Sequence, residues 1–171
     1  MAHVVDSRQV LLVALILLSA VNVICYLKNR RVDKVIVIKT LFAMYLMIVI
    51  SFTLLPILVP PMHTEDFQWN LDLRYLFQAL SDRSSLINLI GNVVLFAPIS
   101  ILGYKAGYRW FKDLKMVPVI SFGLSVMIEL LQGLETYYGF ADFPAVTDIN
   151  DVITNTVGGI LGYVLIEKYE K

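Results

Sequence analysis

Long apolar runs separated by short polar connections dominate this chain. About 20 apolar residues at about 1.5 Å rise cross the roughly 30 Å hydrocarbon core of a bilayer. Runs at about 10–27, 35–59, 86–104, 116–134 and 152–166 meet or approach that length. The expected fold is therefore all-α: a polytopic membrane helical bundle with five transmembrane helices in a single membrane domain, 1–171. Only Ser19 and Asn22 interrupt the first run, and the second ends among Pro56, Pro60 and Pro61. Ser84 or Ser85 is placed to cap the third run, which Pro98 can kink. Pro118 falls in the first turn of the fourth, where proline is tolerated. The fifth is short for a full span, and the polar residues before it are expected to supply its first turn.

One further periodicity lies between the second and third runs. Trp69, Leu73, Leu76, Phe77 and Leu80 share one helical face, with Asp72, Arg74 and Gln78 off it. This pattern predicts a short interfacial amphipathic helix near 69–80, with Trp69 and Tyr75 at headgroup level.

Composition agrees with the pattern: 58% of residues are hydrophobic and 16% charged, which excludes a soluble domain. The formal net charge is zero, so nothing calls for a nucleic-acid partner. Cys25 is alone and cannot form an intrachain disulfide. The first run has no basic cluster before it and no small-residue cleavage site after it, so it reads as a retained helix.

Charge in the connections sets the expected orientation. Lys28, Arg30, Arg31 and Lys34 face only Asp33 in the first connection, and Lys105, Arg109, Lys112 and Lys115 face only Asp113 in the third. The second holds Glu65, Asp66, Asp72 and Asp82 against Arg74 and Arg83, and the fourth holds Glu135, Asp142 and Asp148 with no base. Basic connections mark the cytoplasmic side, which puts the N-terminus outside and the C-terminus inside.

With that orientation, position along each run becomes depth. Asn88 and Asn92 are four apart near the outer end of the third run; Glu129 and Gln132 are three apart near the outer end of the fourth, with Ser125 one turn deeper. Asp151 and Asn155 are four apart at the start of the fifth, and Asp148 joins them if that helix begins early. Three runs thus bring acids and amides to the outer third of the membrane. Glu129, Asp151 and Asp148 are the candidate acids, and Asn88, Asn92, Glu129, Gln132, Asp148, Asp151 and Asn155 the candidate ligand-binding set. An ionised carboxylate in an apolar layer must be neutralised, paired or wet, so Glu129 calls for a partner: Arg83, Arg74 or the amides of Asn88, Asn92 and Gln132. Two plainer alternatives stay open: amides that only join helices, and acids that favour a helix N-terminus through its dipole.

Gly158 and Gly162 form a small-xxx-small pair that permits close helix contact. The pairs Asn88/Asn92 and Asp151/Asn155 both precede an Ile-Leu-Gly-Tyr ending, at 101–104 and 160–163, but at spacings one turn apart. No phosphate-cradling glycine loop, His-Glu-x-x-His or cysteine pair occurs, and His3 and His63 are far apart. No cofactor is implied, and the spacing of Glu129, Asp148 and Asp151 does not demand a metal.

Three blocks carry a resemblance: Asn88, Asn92, Phe96 and Pro98; then Ser125, Ile128, Glu129 and Gln132; then Asp148, Asp151, Asn155, Thr156, Gly158 and Gly159. In this order they resemble the signature blocks of VanZ-like membrane proteins, over a core of about 40–167. The resemblance implies a multi-pass protein of the cell membrane of a Gram-positive bacterium and low-level resistance to teicoplanin-type lipoglycopeptides. It supplies a phenotype and no reaction. Implied partners are membrane lipids and either the lipoglycopeptide antibiotic or a lipid-linked wall precursor. The family's arginine shortly before the Asp-x-x-Asp pair is replaced here by Ala145. Its loss takes away a natural counter-charge: either Arg83 substitutes or the site works differently, and the resemblance then implies the resistance role less strongly. Three functions compete: a resistance protein altering drug access to the outer leaflet or its precursors, an intramembrane enzyme acting on a lipid head group, and a non-catalytic assembly partner. Five short spans leave little room for transport by alternating access.

Overall fold

The computed structural model describes residues 3–29, 34–59, 61, 66–78, 82–141 and 145–171. Arg30, Arg31, Asp33, Pro60, His63, Glu65, Leu80 and Asp142, on which parts of the charge and periodicity readings rest, lie outside them.

Five long helices run through the chain: α1 (Ser7–Asn29), α2 (Lys34–Leu54), α4 (Arg83–Lys105), α5 (Met116–Tyr137) and α6 (Ile149–Glu170), with a short α3 (Arg74–Gln78). Each long helix is apolar and long enough to cross a membrane. Short strands β1 (His3–Val5), β2 (Ile57–Val59), β3 (Trp69–Asn70) and β4 (Thr147–Asp148) and a 3-10 turn at Arg109–Lys112 complete the described elements.

The second apolar run is not helical to its end. Helix α2 stops at Leu54, because Leu55 precedes Pro56 and a residue before proline is steered out of the helical region. Ile57–Val59 then pair antiparallel with β1, and the Leu58 N–H donates to Phe140 O at 2.8 Å. The 69–80 stretch also differs from its helical period. Trp69 and Asn70 are extended and pair in parallel with Thr147 and Asp148, so helix begins only at Arg74. Backbone bonding to β4 outweighs the amphipathic pattern there, and Asp72 starts the turn by accepting from the Arg74 N–H at 2.9 Å. The cap of α4 is Asp82 and neither serine; the Ser85 N–H and both serine hydroxyls donate to its Oδ2. These bonds to Ser84 and Ser85 hold the exposed Asp82 carboxyl down to about 2. As expected, the polar residues before the fifth run form the first turn of α6.

Helices α4, α5 and α6 make the packed centre. Glycines set the distance between α4 and α6: a Cβ on Gly158 would meet Val93 O, and one on Gly162 would meet Ala97 O. Gly159 lies equally close to Ser121 of α5. Phe96, Ile99, Val117, Ile128 and Tyr163 fill the remaining interior. Tyr45 ties α2 to this centre by donating its hydroxyl to Leu95 O at 2.9 Å. Helix α1 leans on α2 through Asn22, whose amide donates to Thr40 Oγ1 at 3.1 Å, and exposes Leu12, Leu15, Ile16, Leu17 and Ile24. Exposed aliphatic faces of this kind suit lipid. The starts of α4 and α6, the ends of α2 and α5, and β3 and β4 gather at one end of the bundle.

Candidate functional site

The site is built where β4 turns into α6. Gly133 on α5 has no Cβ to strike Thr147 Oγ1 or the Phe67 ring, so β4 can lie directly on α5. Thr147, buried, donates its hydroxyl to the Glu129 carbonyl at 3.1 Å, and the Asp148 N–H donates to Glu129 Oε2 at 2.9 Å. Glu129 is only 3% exposed, and its carboxyl holds the backbone that presents Asp148.

Asp148 caps α6. Its Oδ1 accepts from the backbone N–H and side-chain amide of Asn150, at 2.8 and 2.6 Å, and its Oδ2 accepts from Asn70 Nδ2 at 2.8 Å. The Asn150 amide also donates to Asp72 O at 3.0 Å, which brings the connection before α3 onto the start of α6. One turn along, Asp151 Oδ1 accepts from Asn92 Nδ2 of α4 at 2.6 Å. The same amide reaches Thr154 Oγ1 at 3.3 Å.

These groups border a cleft of about 420 Å³ between α3, α4 and α6. Asn88, Asn92, Asp148, Asn150, Asp151, Thr154 and Ser85 form its polar wall; Leu76, Ile87, Leu89 and Gly91 form the rest. The lining contains two acids and no base. Arg74 is committed elsewhere: its guanidinium is 2.6 Å from Asp72 and holds that carboxyl below the usual carboxylate range. Arg83 forms no ion pair among the described residues, so neither arginine is the expected counter-charge of Glu129, whose partner is the Asp148 N–H.

Of the candidate residues, Asn88, Asn92, Asp148 and Asp151 come together on the cleft, while Glu129 and Asn155 lie behind it. Asn155, 4% exposed, donates to Ser125 Oγ at 2.9 Å and joins α6 to α5. Gln132 is elsewhere. Its amide donates to Thr53 O at 2.8 Å, and it borders a separate cleft with Glu135 and Ala145. A rotation of three residues along α5 is enough to turn Gln132 away from the side on which Glu129 meets β4. Ala145 borders that second cleft beside Glu135 and is absent from the lining that carries Asp148 and Asp151. Asn70, Asn150, Thr154 and Ser85 belong to the site without having stood out in the sequence. Asn150 and Thr154 carried a usable signal, four apart within the same polar block; Asn70 carried none, because its role depends on the β3–β4 pairing. Among the described residues, no three His, Cys, Asp or Glu side chains are grouped to hold a metal ion.

Fold and site together define a multi-pass membrane protein in which α3, α4 and α6 border an acidic, amide-rich cleft at one end of the bundle. The chain belongs to the VanZ/LLP1 family, whose model matches residues 42–168. It is 38% identical over 76 residues to protein VanZ of Enterococcus faecium, a match that takes in 43% of this chain and 40% of that protein. No solved structure matches the chain. The family match begins within α2, so α1 lies outside it.

Proposed function

We propose that this protein lowers susceptibility to teicoplanin-type lipoglycopeptides. The cleft beside Asp148 and Asp151 engages the drug or a lipid-linked wall precursor at the outer leaflet of a Gram-positive cytoplasmic membrane. The observation that carries the reading is the cleft itself: a polar, acid-bearing wall beside Leu76, Ile87 and Leu89 fits an amphiphile with its head on the acids and its chain on the aliphatic side. Support for the outward location comes from the basic connections, Lys28 and Lys34 at one end and Lys105, Arg109, Lys112 and Lys115 beyond α4, which lie opposite the end that carries the cleft. Family membership supports the link to glycopeptide resistance. Expression in a susceptible Gram-positive host is expected to raise the inhibitory concentration of teicoplanin and to change surface binding of labelled drug. Unchanged susceptibility with verified membrane expression refutes the role.

One observation favours a second reading, an enzyme acting on a lipid head group. Asp151 lines the cleft and uses only Oδ1 for hydrogen bonding within the described residues, leaving Oδ2 as a base. Glu129, withdrawn behind Asp148, is unsuited to that task. Lipid mass spectrometry comparing the wild type with Asp151→Asn decides it: identical lipid profiles dismiss catalysis.

A further inference from the structure

The amides of the cleft are oriented by their neighbours, and that orientation says what is still wanted. A carboxylate only accepts, so an amide that meets one must turn its NH2 toward it. Asn92 and Asn150 both do so, toward Asp151 and Asp148. Their Oδ1 atoms are thereby left as acceptors without a donor among the described residues. Asn150 is 7% exposed and its Oδ1 is buried without a partner, although the residue borders the cleft. Asp151 Oδ2 is a third acceptor with no donor among the described residues. Asp148, by contrast, already accepts three N–H groups. The wall therefore offers acceptors and negative charge, while the lining supplies no cation.

We propose that the cleft binds a primary ammonium group carried on an amphiphile. An ammonium brings three N–H donors and one positive charge, suited to the free acceptors of Asn92 and Asp151 on the cleft wall and to acids with no cation in the lining. Leu76 and Ile87 give the attached chain an apolar path out of the cleft. The proposal deepens the functional reading above and rests on it for the location of the site. Two sources share this chemistry: an ammonium-bearing membrane lipid, and an amine on the drug.

The test uses the full chain in phosphatidylcholine nanodiscs and dodecylammonium as the probe, against dodecyltrimethylammonium and dodecanol. Dodecylammonium is expected to bind at least about tenfold more tightly than either, the range of a charge-assisted hydrogen bond. Asp151→Asn is expected to abolish the preference. Because the contrast is also made on the ligand side, it does not depend on that variant folding. Equal binding of the three probes overturns the proposal, and so does binding that EDTA removes, which would mark a metal site. Competition by phosphatidylethanolamine nanodiscs or by teicoplanin identifies the source. Failure of the resistance role reads out separately, as unchanged teicoplanin susceptibility in cells expressing a protein that still prefers dodecylammonium.

Discussion

Glu129 offers the sharpest test of how the site is built. Its carboxyl, 3% exposed, accepts the Asp148 N–H at 2.9 Å and does not border the cleft. If it acts by holding β4 in place, what matters is an acceptor oxygen at that point and not an acid. Glu129→Gln keeps the carbonyl acceptor and the length of the chain, so its cost should stay below about 1 kcal/mol. Glu129→Met keeps the length but removes the acceptor and strands the half-buried Asp148 N–H, which costs up to about 1–3 kcal/mol. Measured values for polar contacts inside membranes fall toward the lower part of that range, averaging about 0.6 kcal/mol with a maximum near 1.7. The two variants should therefore separate by up to roughly 1 kcal/mol, Met being the less stable, in reversible unfolding by SDS followed by circular dichroism. In the same host, Glu129→Gln should keep teicoplanin resistance and Glu129→Met should lose much of it. Equal destabilisation by both variants would refute the positioning role. So would a Gln variant with native stability and no activity, since the carboxyl would then be taking part in chemistry.

Other perturbations follow from particular contacts. Gly158→Leu or Gly162→Leu drives a side chain into backbone carbonyls of α4 and should cost about 1–3 kcal/mol, separating Asn92 from Asp151 and weakening dodecylammonium binding; Gly123→Ala, with nothing within 4 Å, is the harmless control in the same unfolding assay. Gln132→Leu removes the tie to Thr53 O and should lower stability by about 1 kcal/mol while leaving probe binding intact; a loss of binding would bring the second cleft into the site. Asp82 has a folded carboxyl held down to about 2, so its capping contribution is present above the ordinary aspartate value of about 4 and is lost as pH falls toward 2. Thermal melts between pH 5 and pH 2 should show this loss in the wild type and a flatter profile in Asp82→Asn.

The polar stretch from Asp148 to Asn155 was the most legible part of the site. Asp148 and Asp151 stand in the sequence at the mouth of an apolar helix, and Asn88 and Asn92 mark the helix beside it; all four border the cleft. Gln132 shared a face with Glu129 by spacing alone, yet it bonds to α2, because three residues on a helix are not a full turn and the two side chains diverge by enough to meet different neighbours. The 69–80 stretch holds the expected short helix only over Arg74–Gln78, for a related reason. Its period suits a helix, but the carbonyl of Gln68 meets the Thr147 N–H at 3.0 Å, and a two-residue strand replaces the first helical turn. No local pattern reports a partner about 78 residues away.

The apolar runs, with the polar turn before the fifth, were enough to indicate five helices of about membrane length, since leaving about 20 residues of unbroken hydrocarbon in water is strongly unfavourable. The glycines at 158 and 162 likewise announced close contact on one side of α6. Only the tertiary structure decided which helix they meet, that Glu129 serves the Asp148 backbone, and that Asn70 and Asn150 complete the wall around Asp148. Hydropathy is a property of each segment and is written locally. The direction in which an amide turns depends on the carboxylate that another segment places before it, and that is settled only when the helices pack.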